Sequence, residues 1–227
     1  MKLGCKFFDE AIDINDGTLL SIIIENPSAY FDFIKNLSFL DESEDFFSVF
    51  DGSTNYDIEK NIFWIENITS FDPNSKKNQG LLIQKIISKV GNNYDFQTKL
   101  GEVNNTLRRM ILSEIADFDV GISINEEFPV QDVLKLYNIR LCVNEESHLN
   151  TILDIFKMID IFVHPKIIVV SNLFSLLSIG EVEAIKKEIE YLKLIIVSID
   201  TNVSEKEIQT ETYILDKERC FIRTNNL

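Results

Sequence analysis

Glycine, proline and cysteine are all scarce in this chain of 227 residues, which holds 8 Gly, 4 Pro and 3 Cys. So few glycines and prolines exclude collagen-like, linker-rich and low-complexity architectures. Three cysteines far apart in sequence (Cys5, Cys142 and Cys220) make no disulfide framework, and reduced, half-buried thiols are expected. The only histidines are His148 and His164, and no Cys/His pairing has zinc spacing. Long apolar runs are missing too. Stretches such as Ile22-Ile23-Ile24 and Ile167-Ile168-Val169-Val170 fall far short of the ~20 residues of a membrane span. The opening MKLGCKFFDE reaches Asp9 and Glu10 before a signal-peptide core could form, so a soluble, cytoplasmic protein with no membrane partner is expected. Positive charge is in deficit: 22 Lys and Arg face 37 Asp and Glu, for a net charge of −15. Taken as a total, that disfavours nucleic-acid binding.

What is present is globular in character. Apolar residues make up 45% and charged residues 26%, in a chain long enough for one large domain or two modest ones. The charge is unevenly spread. Residues 1–75 carry 4 basic and 15 acidic side chains (−11), and residues 113–163 carry 3 and 10 (−7). Residues 164–227 carry 8 and 10 (−2). Between these stretches, residues 76–112 carry 7 basic side chains (Lys76, Lys77, Lys85, Lys89, Lys99, Arg108, Arg109) and 2 acidic ones, for +5. One positive block sits inside an acidic protein. It is either a solvated helix face or a polyanion-binding surface.

Periodicity separates three regions. The first is β-rich with one helix. Strands are expected over Phe7–Ile14, Leu19–Ile24, Phe46–Phe50 and Ile62–Ile68, with a helix opened by Pro27 and Ser28. After the turn chemistry of Ser70-Phe71-Asp72-Pro73-Asn74-Ser75, two helices follow. The first, capped by Ser75, ends at Gly91. The second runs from about Tyr94 to Phe118 and is expected to bury Leu100, Val103, Leu107, Met110, Ile111 and Ile115, spaced by 3 and 4. The last third alternates: a short helix from about Pro129 to Tyr137, strands over Ile139–Val143, Lys166–Ser171 and Leu194–Ile199, helices capped by Ser147 and Ser178, and a closing pair, Tyr213–Leu215 with Cys220–Ile222. Strand–helix alternation implies right-handed parallel crossovers, and the doubly apolar strands suit a covered parallel sheet. The expectation is an α/β head domain assembled from residues 1–72 and 139–227, with an inserted helical leg domain over residues 73–138.

No catalytic motif stands out. None of the eight glycines precedes a lysine, and no two lie two residues apart, so the P-loop and the dinucleotide fingerprint are both absent. No G-x-S-x-G occurs, both histidines lie at element boundaries, and Cys142 and Cys220 fall in expected strands. The acids are more suggestive. Glu114, Asp117 and Asp119 close the long helix, and Glu126 and Glu127 follow within one loop. Carboxylates at a helix C-terminus oppose its dipole and invite a cation, and all-oxygen donors suit calcium or magnesium. A solvated acidic corner and a two-metal nuclease are the other readings.

Several segments, in order, resemble a known family. The opening FFDEAIDINDGTLL, the strand and turn FWIENITSFDPNS, the later KIIVVSNLFSLLSIGEVEAIKKEI and the ending YILDKERCFIRTNN are similar to the short form of the CRISPR-associated adaptation protein Csn-two of type II-A systems. Each is weak alone, but their order and spacing span nearly the whole chain. The resemblance implies an α/β head, distantly like P-loop ATPases but without their motif, bearing a helical leg. It implies a homotetrameric ring, stabilised by calcium, that holds double-stranded DNA loaded from free ends. It also implies a part in spacer acquisition beside the integrase and effector nuclease of the system, and no catalytic activity.

Two physical points agree. A chain of this length has a radius of gyration near ~17 Å, so one copy cannot encircle a duplex. The positive block falls on the expected leg, where phosphate contacts alone give sequence-independent binding. The DNA-binding candidates are Lys76, Lys77, Lys85, Lys89, Arg108 and Arg109, with Lys135 and Arg140 near the leg's return. The metal candidates are Glu114, Asp117, Asp119, Glu126 and Glu127, in the loop that the resemblance implies is the calcium region, where Gly121 and Asn125 depart from the further acids that the resemblance implies. A cation-dependent nuclease or nucleotide hydrolase, and a protein-interaction scaffold that ignores DNA, are the competing functions.

Overall fold

The computed structural model describes residues 1–144, 146–206 and 210–224. The chain divides into two compact units: Met1–Phe71 with Val143–Leu227, and Asp72–Cys142.

The first unit contains two sheets. In chain order its elements are β1 (Lys2–Cys5), β2 (Ile12–Asp13), β3 (Thr18–Ile24), α1 (Pro27–Ser38), β4 (Phe47–Asp51), β5 (Thr54–Tyr56), the single-turn α2 (Ile58–Asn61) and β6 (Ile62–Ile65). The second unit supplies α3 (Lys76–Gly91), α4 (Tyr94–Ile115) and α5 (Val130–Leu136). The first unit then resumes with α6 (His148–Phe162), β7 (Ile167–Ser171), α7 (Ile179–Leu192), β8 (Ile195–Asp200), β9 (Glu211–Leu215) and β10 (Phe221–Thr224).

The larger sheet has the order β10-β9-β3-β8-β7-β6 and is parallel except for the edge strand β10. Parallel strands demand cover on both faces, which is why β3, β7 and β8 read as apolar runs and are almost wholly buried. Leu20, Ile22 and Ile24 of β3 join Phe33 of α1, Val197, Ile199 and Leu215 in one core. The opposite face meets α7, whose Val182, Ile185 and Ile189 are fully buried at helical spacing. The smaller antiparallel sheet has the order β2-β1-β4-β5. Gly17 turns the chain into β3 at φ 79°, and a Cβ there would lie 3.0 Å from Glu190 Cα, so both conformation and space require glycine.

Three sequence expectations change. The strand expected over Phe7–Ile14 is mostly turn, and the pairing strand is instead Lys2–Cys5. Phe8 N donates to Cys5 O at 2.9 Å, reversing the chain. Phe7 then meets Phe46 edge-on, and Phe8 stacks on Phe221. The strand expected over Ile139–Val143 does not form. Leu141 N donates to Asn74 Oδ1, and Asn74 Nδ2 donates to Leu141 O, both at 2.9 Å, so one side-chain amide takes the place of a neighbouring strand. Cys142 and Cys220, expected in strands, are exposed in irregular segments.

In the second unit α3 packs on both α4 and α5. Ser75 caps α3 by accepting from Asn78 N at 3.3 Å, and Asn93 caps α4 by accepting from Phe96 N at 3.1 Å. The apolar stripe of α4 is not core. Val103, Leu107, Met110, Ile111 and Leu112 are all exposed, and the buried residue of this helix is Asn104. The stripe has the spacing of a buried face, but only Leu100 and Ile115 at its ends are half-buried, and the side chains between them stay exposed among the described residues.

Candidate nucleic-acid interface

The second unit collects all eight basic candidates, and their surroundings rank them. Over its sixteen residues α3 carries four lysines and no acidic residue. Lys76, Lys77, Lys85 and Lys89 are all exposed. Among the described residues none of the four makes an ion pair with a carboxylate, so their charge is not neutralised within the chain. Its start is held firmly: Asn78 Nδ2 donates to Asp72 O at 2.8 Å, and Asn74 N to Asp72 Oδ1 at 2.8 Å.

The other candidates are less available. Lys135 pairs with Asp132 at 3.4 Å on α5. Arg109 Nε donates to Asn105 O at 3.2 Å, and Arg140 Nε to Asn138 Oδ1 at 3.5 Å. Arg108 is half-buried, and its Nε is sealed from solvent with no acceptor, one turn from the equally unsatisfied Asn104 Oδ1. Lys99, within the positive block, pairs with Asp95 at 2.6 Å. The positive surface is therefore concentrated on α3. Charge counting found the block; what it missed is that α4 pairs its Lys99 with Asp95 and half-buries Arg108, while the four lysines of α3 stay exposed and, among the described residues, unpaired.

The carboxylates behave differently from the lysines. Glu114, Asp117, Asp119, Glu126 and Glu127 are all exposed, and no group of three or more potential ligands among the described residues could hold a metal ion. One chain thus does not bring the five together, and the residues present in it do not fit a calcium site.

The site where phosphate-binding α/β folds hold their ligand lies at the C-terminal ends of the parallel strands. Here the β3–α1 connection is Glu25-Asn26 followed by Pro27, with no glycine. Asn26 Oδ1 accepts from Ala29 N at 3.0 Å and Asn26 Nδ2 donates to Lys217 O at 2.8 Å, so the helix start is closed by its own side chain. Among the described residues neither histidine touches a nucleophile. His148 Nε2 lies 2.9 Å from Glu181 Oε1 and His164 Nδ1 lies 3.0 Å from Asp160 Oδ1. Burial pushes the Cys5 thiol up to about 12, which leaves it unreactive.

Among the described residues no helix is long and apolar enough to cross a membrane. No curated protein matches the chain. The fold is similar to the crystal structure of Stu0660 of Streptococcus thermophilus, with a TM-score of 0.61 at 14% identity over 95% of this chain and 75% of that one. It also matches MJ1267, an ATP-binding cassette of an ABC transporter, in its ADP conformation, at 15% identity over 94% of this chain and 85% of that one. The TM-score there is 0.43, too low to bear on function. A family model, CRISPR-associated protein (Cas_Csn2), matches residues 39–219. The α/β fold with its glycine-free β3–α1 turn, the segments quoted from the sequence and this match agree: the chain belongs to the CRISPR-associated Cas_Csn2 family.

Proposed function

We propose that this CRISPR-associated protein is a non-enzymatic, sequence-independent binder of double-stranded DNA. It acts as a homotetrameric ring on DNA ends during spacer acquisition, beside the integrase and effector nuclease of its system. The observation that carries the reading is α3: four exposed lysines, no acid and, among the described residues, no internal ion pair. An unneutralised cationic helix in a chain of net charge −15 gives a localised phosphate-binding face while the rest of the surface repels DNA. The uncovered apolar stripe of α4 supports self-association, since exposed contiguous apolar surface marks an interface. Calcium belongs to the proposal only as a ligand drawing donors from more than one copy, because one chain does not gather three.

The test is a mobility-shift assay on one duplex, linear or covalently closed, with calcium or with chelator. The protein should retain the linear form and release the closed one. Replacing Lys76, Lys77, Lys85 and Lys89 by alanine should weaken binding at least tenfold, while Lys99→Ala should leave it within twofold. Equal retention of both DNA forms overturns the ring on ends. No binding to either favours the protein scaffold, and calcium-dependent shortening of the DNA favours the nuclease.

A further inference from the structure

The connection between α4 and α5 has a pattern that its conformation does not use. From Asp117 to Asn125 the residues alternate strictly: Phe118, Val120, Ile122 and Ile124 are apolar, and Asp117, Asp119, Gly121, Ser123 and Asn125 are not. Period-two alternation is the signature of a half-buried strand. Yet the segment belongs to no strand. Among the described residues the backbone of positions 119–128 makes no hydrogen bond. Phe118 is 59%, Val120 70% and Ile122 44% exposed. The chain turns at Asp117 and bends at Asp119 and Val120, and Ile124 is half-buried, so the segment is not a strand within one copy. Its unpaired backbone groups and exposed Phe118, Val120 and Ile122 leave it open to strand addition.

The sequence indicates what occupies it. Laid antiparallel against a second copy of itself with Gly121 on the twofold axis, Phe118 faces Ile124 of the other copy and Val120 faces Ile122. Asp117 then faces Asn125 and Asp119 faces Ser123. All four apolar residues meet apolar residues, and every acid meets a neutral polar group. Of the neighbouring registers, the one centred on Val120 keeps the acids apart but faces Ile124 with the small Ala116 at the C-cap of α4, and two others lose more. Centring on Ile122 sets Asp117 opposite Glu127, and parallel in-register pairing stacks Asp117 and Asp119 on their own copies; like charges directly opposite are destabilising. Gly121 has open space where a Cβ would stand, so nothing among the described residues obstructs the axis position. An isologous twofold contact requires this kind of self-complementarity. We infer that residues 117–125 pair with the same segment of a second copy as a two-stranded antiparallel ribbon centred on Gly121. The inference rests on the self-association in the proposed function and not on DNA binding.

Cysteine cross-linking tests the register. Cys142 and Cys220 are exposed and are first replaced by serine; Cys5 is buried and stays. In that background Gly121→Cys places two thiols across the axis, within the ~4.4–6.8 Å Cα separation that a disulfide spans. Mild oxidation should convert most of the protein to a covalent dimer on a non-reducing gel. Asp119→Cys and Ser123→Cys each sit four residues, roughly 13 Å, from their own copy and should stay monomeric on the gel. Co-expressed, the two should cross-link to each other. Failure of Gly121→Cys to cross-link, or self-cross-linking of Asp119→Cys to the same extent, overturns the inference. A monomeric native protein in light scattering overturns it together with the self-association behind it. Loss of DNA binding with cross-linking intact overturns only the DNA reading.

Discussion

At the scale of single residues, the junction of the second unit depends on one amide. Asn74 both donates to and accepts from Leu141 at 2.9 Å. Asn74→Ala leaves two backbone groups without partners and should lower stability by about 1 kcal/mol. Asn74→Asp keeps the acceptor, loses the donor and should fall between. Urea denaturation of the three proteins checks the order; equal midpoints would show that water replaces the amide at no cost. This contact was half legible in the sequence. The turn residues Asp72, Pro73 and Asn74 announce a break, but the partner lies 67 positions away, which no local pattern reveals. Arg108 shows the reverse limit. Its charge is plain in the sequence, and its half-burial depends on what packs over it.

At the scale of elements, α7 begins with a complete capping box. Ser178 N and Oγ donate to Glu181 Oε2 at 2.8 and 2.7 Å, the Ser178 side chain faces Glu181 N in return, and Glu181 N also donates to the backbone Ser178 O at 3.1 Å. The bonds from the Ser178 backbone and hydroxyl, with His148 beyond, hold the Glu181 carboxyl below its usual range. A depressed carboxylate contributes stability that is fully present above its unfolded pKa of about 4.3 and is lost as pH falls through the folded value. Native protein should therefore exceed Glu181→Gln in stability at pH 7, and the gap should narrow below about pH 4. A gap constant from pH 3 to pH 7 in urea titrations would rule out the ionised cap. Elements of this kind are legible, because caps and periods are local. β3, β7, β8, α1, α3 and α7 all lie within a residue or two of where their patterns put them. The α4 stripe was legible as amphipathic and misread as core, since periodicity gives the direction of an apolar face and not the identity of its cover. The carboxylates suffered likewise: closeness in sequence did not become convergence in space.

At the scale of the whole molecule, charge separation makes a prediction about salt. Four phosphate contacts from α3 give a slope of log Kobs against log salt of roughly −3.6 for each copy engaged. Each lysine-to-alanine change on α3 should flatten the slope by about 0.9 and weaken binding alike on every sequence. Fluorescence anisotropy across a salt series reads this directly; an unchanged slope would remove those lysines from the DNA contact. Because Asn74 and Leu141 are stapled side by side, the polypeptide departs and returns through a single gateway. Whatever is threaded between those posts can be lengthened, shortened or exchanged without moving either post. The insertion is thus a replaceable cartridge, whose length is independent of the strand order in the unit that its two ends rejoin.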